Sequence, residues 1–104
     1  MTNDHRQLTT LMENPFGDEP IELEITDVLD LHGFVPAEVG KVTRIYLAEA
    51  RKKNFKWVRI IHGRGIGMQR DRVRKILAET DFVESFKDGD ELSGGWGAQV
   101  IKLK

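Results

Sequence analysis

The sequence predicts a two-layer α/β sandwich in the order β-α-β-α-β-β, with a mixed four-stranded sheet. Three observations predict it. Short runs at residues 28–32, 57–62, 82–86 and 100–103 are rich in β-branched, aromatic and other large apolar residues and read as strands. Two intervening stretches, about 36–53 and 69–79, repeat apolar residues at helical spacing. Two helices are too few to cover both faces of four strands, so one face of the sheet stays partly open.

Taken in order, residues 1–19 are mostly polar and hold Pro15 and Gly17. They read as a flexible N-terminal tail with a short helical turn near Leu8 to Met12. The domain proper spans 20–104. Ile21 to Ile25 alternate apolar and polar strictly, as a half-exposed strand or an extended arm does, with Glu22 and Glu24 guarding an edge. In the strand Val28 to His32, Leu29 and Leu31 point to one face and Asp30 and His32 to the other. Pro36 suits the first position of a helix. That helix gathers Val39, Val42, Tyr46 and Ala50 on one side and Lys41, Arg44, Arg51 and Lys52 on the other. Trp57 to His62 form the second strand. Val73, Ile76, Leu77 and Thr80 form the stripe of the second helix. Phe82 to Phe86 form a third strand, Asp88-Gly89-Asp90 a turn, and Val100, Ile101 and Leu103 belong to a closing strand. Two successive crossovers predict parallel pairing among the first three strands.

A chain of 104 residues makes one domain rather than two. It has no cysteine, which excludes disulfides, a thiolate nucleophile and Cys-ligated zinc, and fits a reducing cytoplasm. No apolar run resembles a signal peptide or reaches the length of a membrane span, so no membrane partner is expected.

The formal net charge of −1 conceals a segregation. Residues 1–40 hold one Arg against nine acids, residues 41–75 twelve Lys and Arg against two, and residues 76–104 three against six. The basic block surrounds His62-Gly63-Arg64-Gly65-Ile66-Gly67, a glycine-rich turn from strand to helix. Glycines permit close backbone approach, and the N–H groups at a helix start can cradle a phosphate. The spacing matches neither a P-loop nor a dinucleotide fingerprint. Gly63, Gly65, Gly67, Arg64, Arg70, Arg72 and Arg74, with Lys41 and Arg44 of the first helix, are candidate contacts to a polyanion.

His32 and His62 each end a predicted strand, and Asp30 shares a face with His32. If the strands are parallel, all three reach the carboxyl edge of the sheet, where open α/β sheets hold their ligands. Several roles are open. An imidazole can move a proton at neutral pH, with a carboxylate orienting it. Two imidazoles and a carboxylate can hold a divalent metal. A strand-end Asp can instead simply cap a turn. Trp96, between glycines, either stacks on a base or folds over the core.

Together these residues resemble a known family. Leu29-Asp30-Leu31-His32-Gly33 resembles the LDxHG motif of the Smr (small MutS-related) domain, His62-Gly63-Arg64-Gly65 its HGxG motif, and Gly94-Gly95-Trp96-Gly97-Ala98 the glycine-rich segment before its last strand. The resemblance covers about Ile25 to Lys104 and is to stand-alone members that lack the ATPase of the larger MutS paralogue. It implies a fold like the C-terminal domain of translation initiation factor three. It also implies nicking of DNA or cleavage of RNA, including messenger RNA on stalled ribosomes. Position by position, the implicated residues are Asp30, His32, His62, Gly63, Arg64 and Gly65. Gln99 stands where the family often has Thr, and Gln69 where many members have Leu. The resemblance leaves the cofactor open, a divalent metal included.

The leading expectation is therefore a nucleic-acid-binding endonuclease with Asp30, His32 and His62 as its catalytic group. The rival is a binding module without chemistry that docks on structured nucleic acid or ribosomes. A phosphometabolite enzyme fits less well, since the positive stripe runs along the whole first helix.

Overall fold

A computed structural model describes residues 9–13, 20–63, 67–90 and 95–104. Strand β1 (Thr9–Glu13) pairs antiparallel with β2 (Pro20–Glu24). The alternating segment is thus a strand, as expected. The turn expected near Leu8 to Met12 is not helical. Its two threonines favour extended backbone, and a five-residue helix has no means of stabilising its own nucleus. The rest of the expected tail, residues 1–8 and 14–19, lies outside the described residues. Leu23 and Ile25 continue into the core, at 2% and 0% exposure.

The main sheet begins with β3 (Val28–Asp30), which runs parallel to β4 (Trp57–Ile61). Val28, Leu29 and Asp30 lie opposite Arg59, Ile60 and Ile61. The crossover between them contains a 3-10 turn at Pro36–Glu38 and α1 (Val39–Lys52). Helix α2 (Met68–Glu79) follows β4. Strand β5 (Val83–Asp88) and β6 (Ala98–Leu103) close the sheet in the order β3-β4-β6-β5. The sheet is mixed, as expected. One expectation needs correction: β5 does not pair with β4. It shares the direction of β4, but β6 lies between them, antiparallel to both. The compositions explain the exchange. β6 buries Ala98, Gln99, Ile101 and Leu103, whereas β5 exposes Glu84, Ser85 and Lys87 and suits an edge.

Val58 and Ile60 of β4 and Ile101 and Leu103 of β6 share one core with Val42, Tyr46, Leu47 and Ala50 of α1 and Val73, Ile76 and Leu77 of α2. These are the faces that helical and strand periodicity select. The intervening residues Trp57, Arg59, Ile61, Val100 and Lys102 stay partly or largely exposed, so the second face of the sheet is open. Tyr46 donates its buried hydroxyl to the Thr26 carbonyl, tying α1 to the approach of β3.

Candidate functional site at the carboxyl edge of the sheet

The β3–β4 register sets Asp30 beside Ile61, so the ends of the two parallel strands coincide. Beyond Asp30 the chain does not continue as a strand. It enters a 3-10 turn, Leu31–Gly33, because the Asp30 carboxylate accepts the His32 backbone N–H at 2.9 Å and caps it. The expected strand Val28 to His32 is thus two residues shorter. Leu31 is buried by the turn and not by strand alternation. Asp30 and His32 are exposed, and among the described residues the His32 ring makes no hydrogen bond or ion pair.

Beyond β4, His62 and Gly63 both donate their backbone N–H groups to the Gly97 carbonyl, at 3.0 and 2.9 Å. Gly97 ends a 3-10 turn, Gly95–Gly97, just before β6. All three motif segments therefore meet at one edge. Gly63 and Gly67 have φ of 82° and 89°, the left-handed conformation that glycine adopts without strain. Gly67 is the N-cap of α2. Arg64 and Gly65 lie outside the described residues, and so does the Trp96 side chain.

The His62 ring has a different environment from His32. It is 8% exposed and faces the helical layer. Its Nδ1 is 2.7 Å from the Gly63 carbonyl, and its Nε2 is 3.3 Å from Gln99 Nε2. Gln99 is itself fixed: its Oε1 accepts from Arg74 at 2.9 Å and its Nε2 donates to Asp88 at 2.6 Å. Arginine only donates and carboxylate only accepts, so this assigns the amide orientation. Gln99 then donates to His62 Nε2, and His62 carries its proton on Nδ1, donating to Gly63. Desolvation lowers the His62 pKa below its ordinary value; the hydrogen bond to the Gly63 carbonyl and the Asp88 charge oppose this, and the Arg70 and Arg74 charges add to it. Asp88 has its pKa held at about 2 by its hydrogen bonds to Arg70, then Gln99.

This network reassigns part of the basic block. Arg70 grips Asp88 with two hydrogen bonds, 3.0 and 2.7 Å. Arg74 binds Gln99 and covers the Phe86 ring. Arg72 donates to the Pro36 carbonyl at 2.7 Å, joining the start of α2 to the approach of α1. Arg44 is exposed, 3.9 Å from Glu79 across the α1–α2 groove, and Lys41 is half-buried on α1. The three expected catalytic residues share an edge but not a network. Asp30 contacts His32 through the backbone, and no hydrogen bond among the described residues joins either to His62. Among the described residues, no three His, Asp or Glu side chains are grouped to hold a metal.

The family model of the Smr domain matches residues 29–104. The chain belongs to the Smr domain family. It is 34% identical over 80 residues to the endonuclease MutS2 of Clostridium acetobutylicum, a match covering 77% of this chain and 10% of that protein. It is 36% identical over 81 residues to the endonuclease MutS2 of Thermus thermophilus, covering 78% and 11%. The chain thus spans about a tenth of the length of these relatives. The crystal structure of the Smr domain of Thermus thermophilus MutS2 superposes with a TM-score of 0.71 at 34% identity, covering 76% of this chain and 99% of that one. That of YdaL, a stand-alone small MutS-related protein from Escherichia coli, gives 0.65 at 26%, covering 75% and 64%.

Within this Smr domain, Asp88 and Gln99 are the site residues that sequence reasoning missed. Strand alternation places Gln99 on the face of Ile101 and Leu103, and a polar side chain at a core position was the available signal. Asp88 read only as part of a turn.

Proposed function

We propose that this Smr domain is a nucleic-acid endonuclease that cleaves phosphodiesters at the carboxyl edge of its sheet. The observation that carries the reading is the meeting of the three motif segments there: His62 and Gly63 join Gly97 at its carbonyl, and the β3–β4 register sets the exposed Asp30–His32 turn beside them. The name endonuclease given to the MutS2 relatives supports it. His32 is the proton donor or acceptor, since its imidazole is exposed and unpaired among the described residues. Asp30 fixes the turn that carries His32. His62 acts as a positioning residue, because both of its ring nitrogens are committed. Phosphate oxygens lie on the Gly63 to Gly67 backbone and on Arg64. The substrate is DNA or RNA, ribosome-bound messenger RNA included, and the setting is the cytoplasm. No described helix is long and apolar enough to cross a membrane.

The second reading, a binding module without chemistry, is favoured by one observation: both ring nitrogens of His62 are hydrogen-bonded within the protein, as in a structural histidine. The two readings separate in one experiment. Wild type, Asp30→Ala and His32→Ala are given supercoiled DNA, single-stranded DNA, structured RNA and ribosomes, with and without chelator. His32→Ala should lose roughly 10²–10⁴-fold in cleavage rate while binding as wild type does. Equal cleavage by folded His32→Ala removes the catalytic assignment and leaves the binding module.

A further inference from the structure

The helical side of the domain carries most of its arginines, yet Arg70, Arg72 and Arg74 are bound to Asp88, the Pro36 carbonyl and Gln99. The open face of the sheet is different. Register places Trp57 beside Lys102, one row along Arg59 beside Val100 and Lys87, and one row further Ile61 beside Asp30. Trp57 is 54% exposed and lines two shallow grooves of about 240 and 610 Å³. The Lys102 ammonium lies 5.7 Å from the ring centroid, within cation–π range, and 3.2 Å from Glu84. Arg59 and Lys87 have no side-chain hydrogen bond or ion pair among the described residues, and Arg59 Nε is buried without a partner. An exposed indole, two unpaired cations and the Asp30–His32 turn thus lie in sequence along one surface. Four strand steps separate Trp57 from Ile61, about 13 Å.

We propose that the open sheet face is a track for single-stranded RNA that leads to the Asp30–His32 turn. A base stacks on Trp57, phosphates lie on Arg59 and Lys87, and the strand leaves the sheet over Asp30. Unpaired bases are required because a duplex hides the faces that an indole stacks on. The choice of RNA rests on the endonuclease reading: the edge offers one exposed imidazole and one carboxylate, and RNA brings its own 2′-hydroxyl nucleophile to them. That hydroxyl would attack the adjacent phosphorus and displace the 5′-oxygen, leaving a cyclic phosphate. His32 would take the 2′-hydroxyl proton or give one to the departing 5′-oxygen, and water would handle the other transfer.

The test is fluorescence anisotropy of fluorescein-labelled U12, dT12 and a blunt RNA duplex, with urea melts confirming that each variant folds. Trp57→Ala should weaken U12 binding about 5- to 100-fold, and Trp57→Phe should restore part of it. Arg59→Gln with Lys87→Gln should make the salt dependence shallower by about 0.7 per lost phosphate contact. Duplex binding should be indifferent to Trp57. Wild-type U12 affinity in folded Trp57→Ala overturns the track, and Trp57-dependent binding of dT12 but not U12 overturns the choice of RNA. The His32→Ala cleavage assay fails independently: Trp57-dependent binding without cleavage keeps the track and removes the endonuclease, while cleavage indifferent to Trp57 does the reverse.

Discussion

His62 has one ring nitrogen donating to Gly63 and the other accepting from Gln99, in a pocket that lowers its pKa. A general base at this position would have to release Gln99 first, and Gln99 is held by Arg74 and Asp88. His32, four residues into the LDxHG motif, is free of such ties among the described residues. Two histidines with similar sequence settings thus have opposite physical characters, and the division of labour between them is a prediction. Nitrogen-15 spectra of the imidazoles should show His62 as the Nδ1–H tautomer at neutral pH, titrating below ~6.5. Gln99→Leu should mix its tautomers, since the donor to Nε2 is gone. A wild-type His62 in the Nε2–H form, or protonated at pH 7, would contradict the network.

At the scale of elements, periodicity sufficed where one face is buried. Val39, Val42, Tyr46 and Ala50 of α1 and Val73, Ile76 and Leu77 of α2 all lie in the core, and β4 alternates as its sequence does. Three features escaped because they depend on partners rather than on period. The sequence 28–32 has strand alternation throughout, but the Asp30 side chain captures a backbone N–H and starts a turn. The strand order depends on β6 outcompeting β5 for the centre, a comparison between segments that no local pattern contains. Likewise, the basic block read as an outward-facing surface until Asp88 and Gln99 drew Arg70 and Arg74 inward. The need for glycine at Gly63 and Gly67, both at positive φ, was legible, and the role of Gly67 can be tested. Gly67 has φ 89° with nothing within 4 Å of where a Cβ would stand, so any cost of a side chain is conformational. Gly67→Ala should destabilise the fold by about 1–2 kcal/mol in urea melts. Asn tolerates this region better, so Gly67→Asn should cost less. Equal stability of the Ala variant and wild type would mean that α2 starts without the left-handed residue.

For the whole molecule, the His62–Gln99–Asp88 chain with Arg70 and Arg74 joins the end of β4, both strands beyond it and α2, so its protonation acts on the entire fold. Folded His62 takes up its proton less readily than the unfolded chain, whose imidazoles titrate near ~6.5. Its contribution to stability is therefore complete above that pH and is lost as pH falls below it. Asp88 behaves in the same sense at lower pH. Arg70 and Gln99 hold its pKa at about 2, under the ~3.9 of an unfolded Asp, so its contribution is complete above about 4 and is lost as pH falls through about 2. Acidification should thus weaken the domain in two separate windows. Urea midpoints of wild type and His62→Gln should converge between pH 8 and 5.5, because only wild type has this imidazole to protonate in the unfolded chain. Wild type and Asp88→Asn should keep a constant difference over that range and converge between pH 4.5 and 2.5. A wild-type–His62→Gln difference that stays constant from pH 8 to 5.5 would show that the buried imidazole is not held neutral, and the assignment of His62 to positioning rather than proton transfer would fall with it.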